Sequence, residues 1–152
     1  MRARPAALAV LLVLAGCGGG SPPDEATSRA QIEQTVLDAQ RFIAAGDGDA
    51  ACELFTEKTR KATVESDRKV RASISGEEPA ESCEEAIEKQ AVIYAQGAGR
   101  EMQANVVVDA VEVHGERATA TMHTSATLRG ALQSLPPWTA ALRWDDGRWR
   151  MD

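Results

Sequence analysis

Histidine, tyrosine and phenylalanine are scarce in this sequence: its 152 residues include two histidines, one tyrosine and two phenylalanines, with three tryptophans as the only concentrated aromatic chemistry. Neither His114 nor His123 has a second histidine or a cysteine at ligand spacing, which excludes the usual zinc patterns. No serine sits in an elbow motif, and no glycine-rich phosphate loop is present, so the commonest hydrolase and nucleotide-binding signatures are missing. No resident metal or cofactor is expected. Basic runs are missing too. Lysine and arginine number 17 against 23 aspartates and glutamates, a formal net charge of -6. That balance argues against nucleic acid as a partner and against electrostatic attraction to anionic lipid. Beyond the N-terminus, no apolar stretch is long enough to span a bilayer.

What is present begins at the N-terminus. Arg2 and Arg4 precede an apolar run from Ala6 to Ala15, and small residues then lead into Cys17. This is the anatomy of an export signal whose apolar core is too short for a stable membrane span. Leu14-Ala15-Gly16-Cys17 resembles a bacterial lipobox. The resemblance implies diacylglyceryl transfer to Cys17, cleavage before it, and anchoring to the extracytoplasmic face of the cell membrane by two or three acyl chains, palmitate among them. An ordinary cleaved signal with a chance cysteine is the alternative. Removing residues 1–16 takes away Arg2 and Arg4, which leaves 15 basic against 23 acidic residues, about -8. The acyl chains, rather than surface charge, would hold such a protein to the membrane.

Residues 17–27, with Gly18-Gly19-Gly20-Ser21-Pro22-Pro23, offer no apolar face and read as a flexible tether to a single domain over 28–152. With Cys17 lipidated, Cys52 and Cys83 are an even pair in an exported chain, where disulfides form and persist. The compartment favours a disulfide between them over two buried thiols.

Periodicity organises the rest. Ser28 and Gln31 form a capping box for a first helix that carries Ile32, Val36, Ala39 and Ile43 on one stripe and stops at Gly46. Asp47-Gly48-Asp49 turns into a second helix with Ala51, Leu54, Phe55 and Ala62 on its apolar face. The acidic spacing there fails as a calcium loop, since Cys52 stands where glycine is required and Lys58 where glutamate is. From Thr63 to Glu81 the pattern fades into mixed charge, read as a solvated face with a short helical turn at most. Ser82 and Glu85 box the start of a third helix bearing Cys83, Ala86, Ile87, Ala91 and Tyr94.

The last third is strand-like. Val106, Val107, Val108, Val111 and Val113 mark one strand, with a bulge expected near Asp109-Ala110. Ala118, Ala120, Met122 and Thr124 alternate with Thr119, Thr121, His123 and Ser125 in the next. A third strand places Trp138, Ala140, Leu142 and Trp144 together, and Asp146-Gly147 turns into a short fourth strand, Arg148 to Asp152. Three helices before an antiparallel meander of about four strands make an α+β domain, with the helices packed on one face of the sheet.

At this point the sequence resembles the nuclear transport factor 2-like superfamily, which includes the SnoaL-like and ketosteroid-isomerase-like proteins. The residues that carry the likeness are Gln31 to Ala45, Gly46-Asp47 leading into Ala51-Cys52-Glu53-Leu54-Phe55, Val111 to Met122, and the closing Leu142 to Met151. The resemblance implies a curved sheet wrapped round a long helix, forming a cone that opens on an apolar cavity. Members are enzymes, small-molecule binders or domains that bind other proteins.

An isomerase or dehydratase of this fold needs a general base with a polarising acid opposite it. Tyr94, Asp109, His114 and His123 are the candidates, and no motif ties any two of them. Tyr94, Asp109, His123, Trp138 and Trp144 are the candidate lining of a ligand cavity, and no residue is assigned a catalytic role. The expectation is a non-catalytic extracytoplasmic lipoprotein that binds a small apolar ligand or an envelope protein. The alternatives are a cavity enzyme and an accessory subunit docking through its sheet. The enzyme alternative requires Asp109 and His123 to face each other beside a substrate position.

Overall fold

The structure, a computed structural model, describes residues 20–74, 76–97, 103–128 and 131–152. Cys17 and the stretch read as an export signal lie outside the described residues. The described chain forms helices α1 (Glu25–Ala45), α2 (Gly48–Glu53), α3 (Glu57–Ala72) and α4 (Cys83–Gly97). Strands β1 (Gln103–His114), β2 (Arg117–Leu128), β3 (Ala131–Ser134), β4 (Trp138–Asp145) and β5 (Arg148–Met151) follow.

The first helix begins one turn earlier than its expected cap. Asp24 is the N-cap, and its carboxylate accepts from the Thr27 N–H at 3.1 Å and the Thr27 hydroxyl at 2.8 Å. Residues 25–27, read as tether, are therefore helical. Ser28 is buried inside the helix instead, where its hydroxyl donates to the Pro23 carbonyl. Gly46 ends α1 at φ +71, a left-handed cap that sends the Asp47 N–H back to the Phe42 carbonyl.

The second expected helix is interrupted. Its apolar face runs on past Glu53, yet Leu54, Phe55 and Thr56 leave the helix to meet β5. The Met151 N–H donates to the Leu54 carbonyl and the Thr56 N–H to the Met151 carbonyl, each at 2.8 Å. Thr56 then caps a separate helix that continues to Ala72, through the stretch expected to be mostly irregular. Its charges hid it. Arg71, counted among a solvated run, is buried and paired with Asp67 at 2.8 Å and with Glu77. The Ser82 cap of α4 is as expected, with the Glu85 N–H donating to its hydroxyl oxygen.

The sheet has the antiparallel order β1-β2-β4-β5, with β3 pairing β2 beside β4. Strands β3 and β4 occupy the same edge of β2: Ser125 faces Ser134, and Met122 faces Trp138. Three residues, Leu135-Pro136-Pro137, thus oppose two on β2, and only the Leu135 N–H donates across, to the Thr124 carbonyl. Proline has no N–H to give, so the interruption falls where the ladder would lose its bonds anyway. The meander of about four strands is in this sense correct, with its third strand broken in two. The expected bulge on β1 is also present: Val108 pairs Met122 and Ala110 pairs Thr121, leaving Asp109 unpaired.

Across that bulge the core side of β1 passes from Val106 and Val108 to Val111 and Val113. Ile32 and Val36 of α1 pack there against Val111, Ala118, Ala120, Met122, Ala140, Leu142 and Trp149. Alanine at three of these sheet positions lets the helix lie close. A second cluster joins Ala39, Ala51, Cys52, Phe55, Cys83 and Ile87, and fastens α2 and α4 to the far end of α1. The result is a sheet with helices on one face only.

Candidate functional site

Because α1 covers the part of the sheet nearest the β1–β2 and β4–β5 turns, the other end of the cone is left open. There the C-terminal half of α1, together with α3, α4 and the start of β4, surrounds a cleft of about 1280 Å³. Its walls are largely apolar: Ile43, Ala62, Val70, Ile87, Ile93 and Trp138 all contribute. Val70 and Ile93, on α3 and α4, remain 48% and 40% exposed and give the cleft aliphatic surface open to solvent.

Two carboxylates reach the cleft, and both are already engaged. Asp67 holds the buried Arg71 guanidinium through one oxygen, while the other accepts from the Ala80 N–H at 2.8 Å. Asp152 accepts from Lys58 and from the Thr56 hydroxyl, each at 3.2 Å. Burial raises the pKa of Asp152, but those two hydrogen bonds outweigh it and leave the group below the usual carboxylate range. Asp152, held as an anion by these donors, is a poor proton acceptor.

The expected cavity residues divide. Trp138 lines the cleft, and its indole N–H donates to the Thr124 hydroxyl at 3.3 Å. Trp144 does not: it stands at the opposite end of β4, edge-on to Trp149 with ring centroids 5.6 Å apart. Tyr94 belongs to α4, and its side chain lies outside what is described. Asp109 and His123 do meet, since Nδ1 of His123 lies 2.8 and 2.9 Å from the two carboxylate oxygens. Their position corrects the expectation. Met122 points into the core, so His123, one residue on, points to the opposite face, where both partners are about two-fifths exposed. Asp109 follows the core-facing Val108 and so stands on that same outer face, unpaired at the bulge and away from the helices and the cleft. His114 ends β1 with its side chain 76% exposed, as a turn residue should be.

Cys52 and Cys83 form a disulfide, with a Cα–Cα distance of 6.2 Å. It joins α2 to the first residue of α4 and so fixes one wall of the cleft against the end of α1. Among the described residues no group of three metal-binding side chains occurs, and no helix is long and apolar enough to cross a membrane.

The contribution of α3 was missed from sequence. Asp67 and Arg71 stand four apart, the spacing of a helical ion pair, and that was the available signal. Val70 and Ile93 gave none, because their importance comes from elements far apart in the chain.

Neither any family model nor any curated protein matches the chain. Solved structures do. A member of the nuclear transport factor 2-like family from Streptomyces avermitilis, described provisionally as a dehydratase, superposes with a TM-score of 0.52. The two are 17% identical, over 84% of this chain and 93% of that one. A protein from Catenulispora acidiphila matches with a TM-score of 0.52 at 16% identity, over 84% of this chain and 88% of its own. A structure from the same organism in complex with S-DNPA gives 0.50 at 18% identity, over 84% and 90%. At these identities the likeness is one of fold, and this chain folds as a nuclear transport factor 2-like α+β cone.

Proposed function

We propose that this is a membrane-anchored extracytoplasmic lipoprotein whose domain binds a small apolar ligand in the open cleft without transforming it. The observation that carries the reading is the composition of the cleft wall. Aliphatic side chains and Trp138 supply its surface, and its carboxylates Asp67 and Asp152 are held by cations and hydrogen bonds. Such a wall favours apolar transfer from water and offers no poised acid–base pair. The Catenulispora acidiphila structure of the same fold is in complex with S-DNPA, and a domain of this fold that takes up a ligand fits this reading.

The test is uptake of a fluorescent apolar probe. Trp138→Ala removes a ring from the wall and is expected to weaken binding about tenfold, or ~1.4 kcal/mol, with circular dichroism unchanged. Unchanged affinity would sink the cleft as the binding site. The anchor has its own test: Cys17→Ser should abolish palmitate labelling and release the protein from the membrane fraction. Retention of label in that variant would end the lipoprotein reading.

A second reading is favoured by the Asp109–His123 pair, a carboxylate-held imidazole at a bulge on an open sheet face. It assigns acid–base work to the outer face of the sheet. Any turnover found should then disappear in His123→Ala while probe uptake by the cleft persists.

A further inference from the structure

Gly20 lies against the domain. Its carbonyl accepts the indole N–H of Trp144, at the end of β4 farthest from the cleft. The backbone N–H of Trp144 separately donates to the Glu116 carbonyl at 2.8 Å, which ties the β4–β5 hairpin to the β1–β2 turn. Those two turns and the N-terminus of α1 therefore share one end of the molecule. Cys17 is three residues before Gly20, and three Cα steps reach at most ~11 Å. The cleft is far from this point. Ile43 and Ala44 lie at the other end of α1, about 27 Å along a helix that rises 1.5 Å per residue.

We infer that the Trp144 end of the domain rests on the bilayer surface and that the cleft opens away from it. The inference rests on lipidation of Cys17, and it adds an orientation that the anchor alone does not give. The occupant of this end is the lipid interface. A half-buried tryptophan that holds Gly20, itself no more than ~11 Å of chain from the residue to be acylated, suits the zone where indole rings settle between headgroups and acyl chains. Charge does not drive the contact. Arg117, Arg143 and Arg148 are offset by Glu112, Glu116, Asp145 and Asp146 on the same turns and strand ends. For the cleft the consequence is a source: its ligand arrives from the aqueous envelope side, and the protein's own acyl chains are tethered at the wrong end to fill it.

The experiment uses the lipidated mature chain purified from membranes and reconstituted in phosphatidylcholine vesicles doped with a nitroxide-headgroup lipid. A fluorophore is attached at Glu116→Cys, on the β1–β2 turn, or at Ser66→Cys, on the cleft wall. Strong quenching at 116 and no quenching above background at 66 is the expected result. The contrast should survive addition of phosphatidylglycerol. In Trp144→Phe, which keeps an aromatic ring but removes the N–H that holds Gly20, quenching at the two positions should converge. Equal quenching in the parent protein, or stronger quenching at 66, overturns the orientation while leaving the anchor intact. A contrast undiminished in Trp144→Phe overturns the role of the Gly20 contact. A protein whose mass lacks acyl chains and which fails to sediment with vesicles removes the anchor, and this inference with it.

Discussion

Two residues show how a single position can govern the site from a distance. Asp109 is the bulged residue of β1, and without the bulge the valines before and after it would fall on opposite faces of the sheet. The sequence exposed this conflict directly, as valines spaced for two different faces. Gly48 gave no such warning. It is buried at the start of α2, and a Cβ there would stand 2.3 Å from the Glu84 carbonyl oxygen and 2.7 Å from its Cα. Backbone atoms at the head of α4 have little room to yield. Gly48→Ala should therefore push α2 away from α4 and destabilise the domain by ~1–3 kcal/mol, despite the better helix propensity of alanine. The denaturation midpoint checks this, and a stabilised variant would show that the two helices can separate freely.

At the scale of elements, the disulfide has most to hold. The residues between Cys52 and Cys83 include all of α3 and the polar loop after it, and the two cysteines are 31 positions apart. In the chain-entropy model, closing a loop of that size stabilises the fold by ~3–4 kcal/mol. Replacing both cysteines by serine should lower the melting temperature by roughly 10–20 °C. It should also weaken probe uptake, because α3 and α4 form the cleft wall. A double variant that melts with the parent would mean that the Arg71 cluster holds this wall unaided. That cluster, Arg71 between Asp67 and Glu77, was hidden among exposed ion pairs such as Arg68–Glu65. Only burial distinguishes it, and burial is a property of the packed helix.

For the whole molecule, acid should be the sharpest stress. The carboxylates of Asp24, Glu57, Glu84, Glu85 and Asp152 all sit below their usual values. For Glu85 the first cause is the hydrogen bond from Lys89, followed by the Glu81 N–H; for Glu57 it is the hydrogen bond from Lys61. A carboxylate with a lowered folded pKa binds fewer protons in the native state than in the unfolded one. Its contribution is thus present above the unfolded value, roughly 4, and is lost as pH falls through the folded value. Thermal melts between neutral pH and pH ~3 should show steepening loss below that point, and Glu85→Gln with Asp152→Asn should flatten the curve. An unchanged slope would assign the acid sensitivity elsewhere.

The sequence by itself determined what is local: the stripe of α1, the Ser82 cap, the valine bulge, the Asp146-Gly147 turn, and with them an α+β order of elements. Each is written in neighbours three, four or two residues apart, where helix and strand periods act. The tertiary structure decided the rest. It split the second helix at Leu54–Thr56, because those backbone groups find partners on β5 nearly a hundred residues later. It sent His123 and Asp109 to the outer face and left Trp138 in the cleft, because strand alternation sets side-chain direction but only helix packing says which face is inside. It also fastened Gly20 to Trp144, a contact between the two ends of the chain that no local pattern encodes.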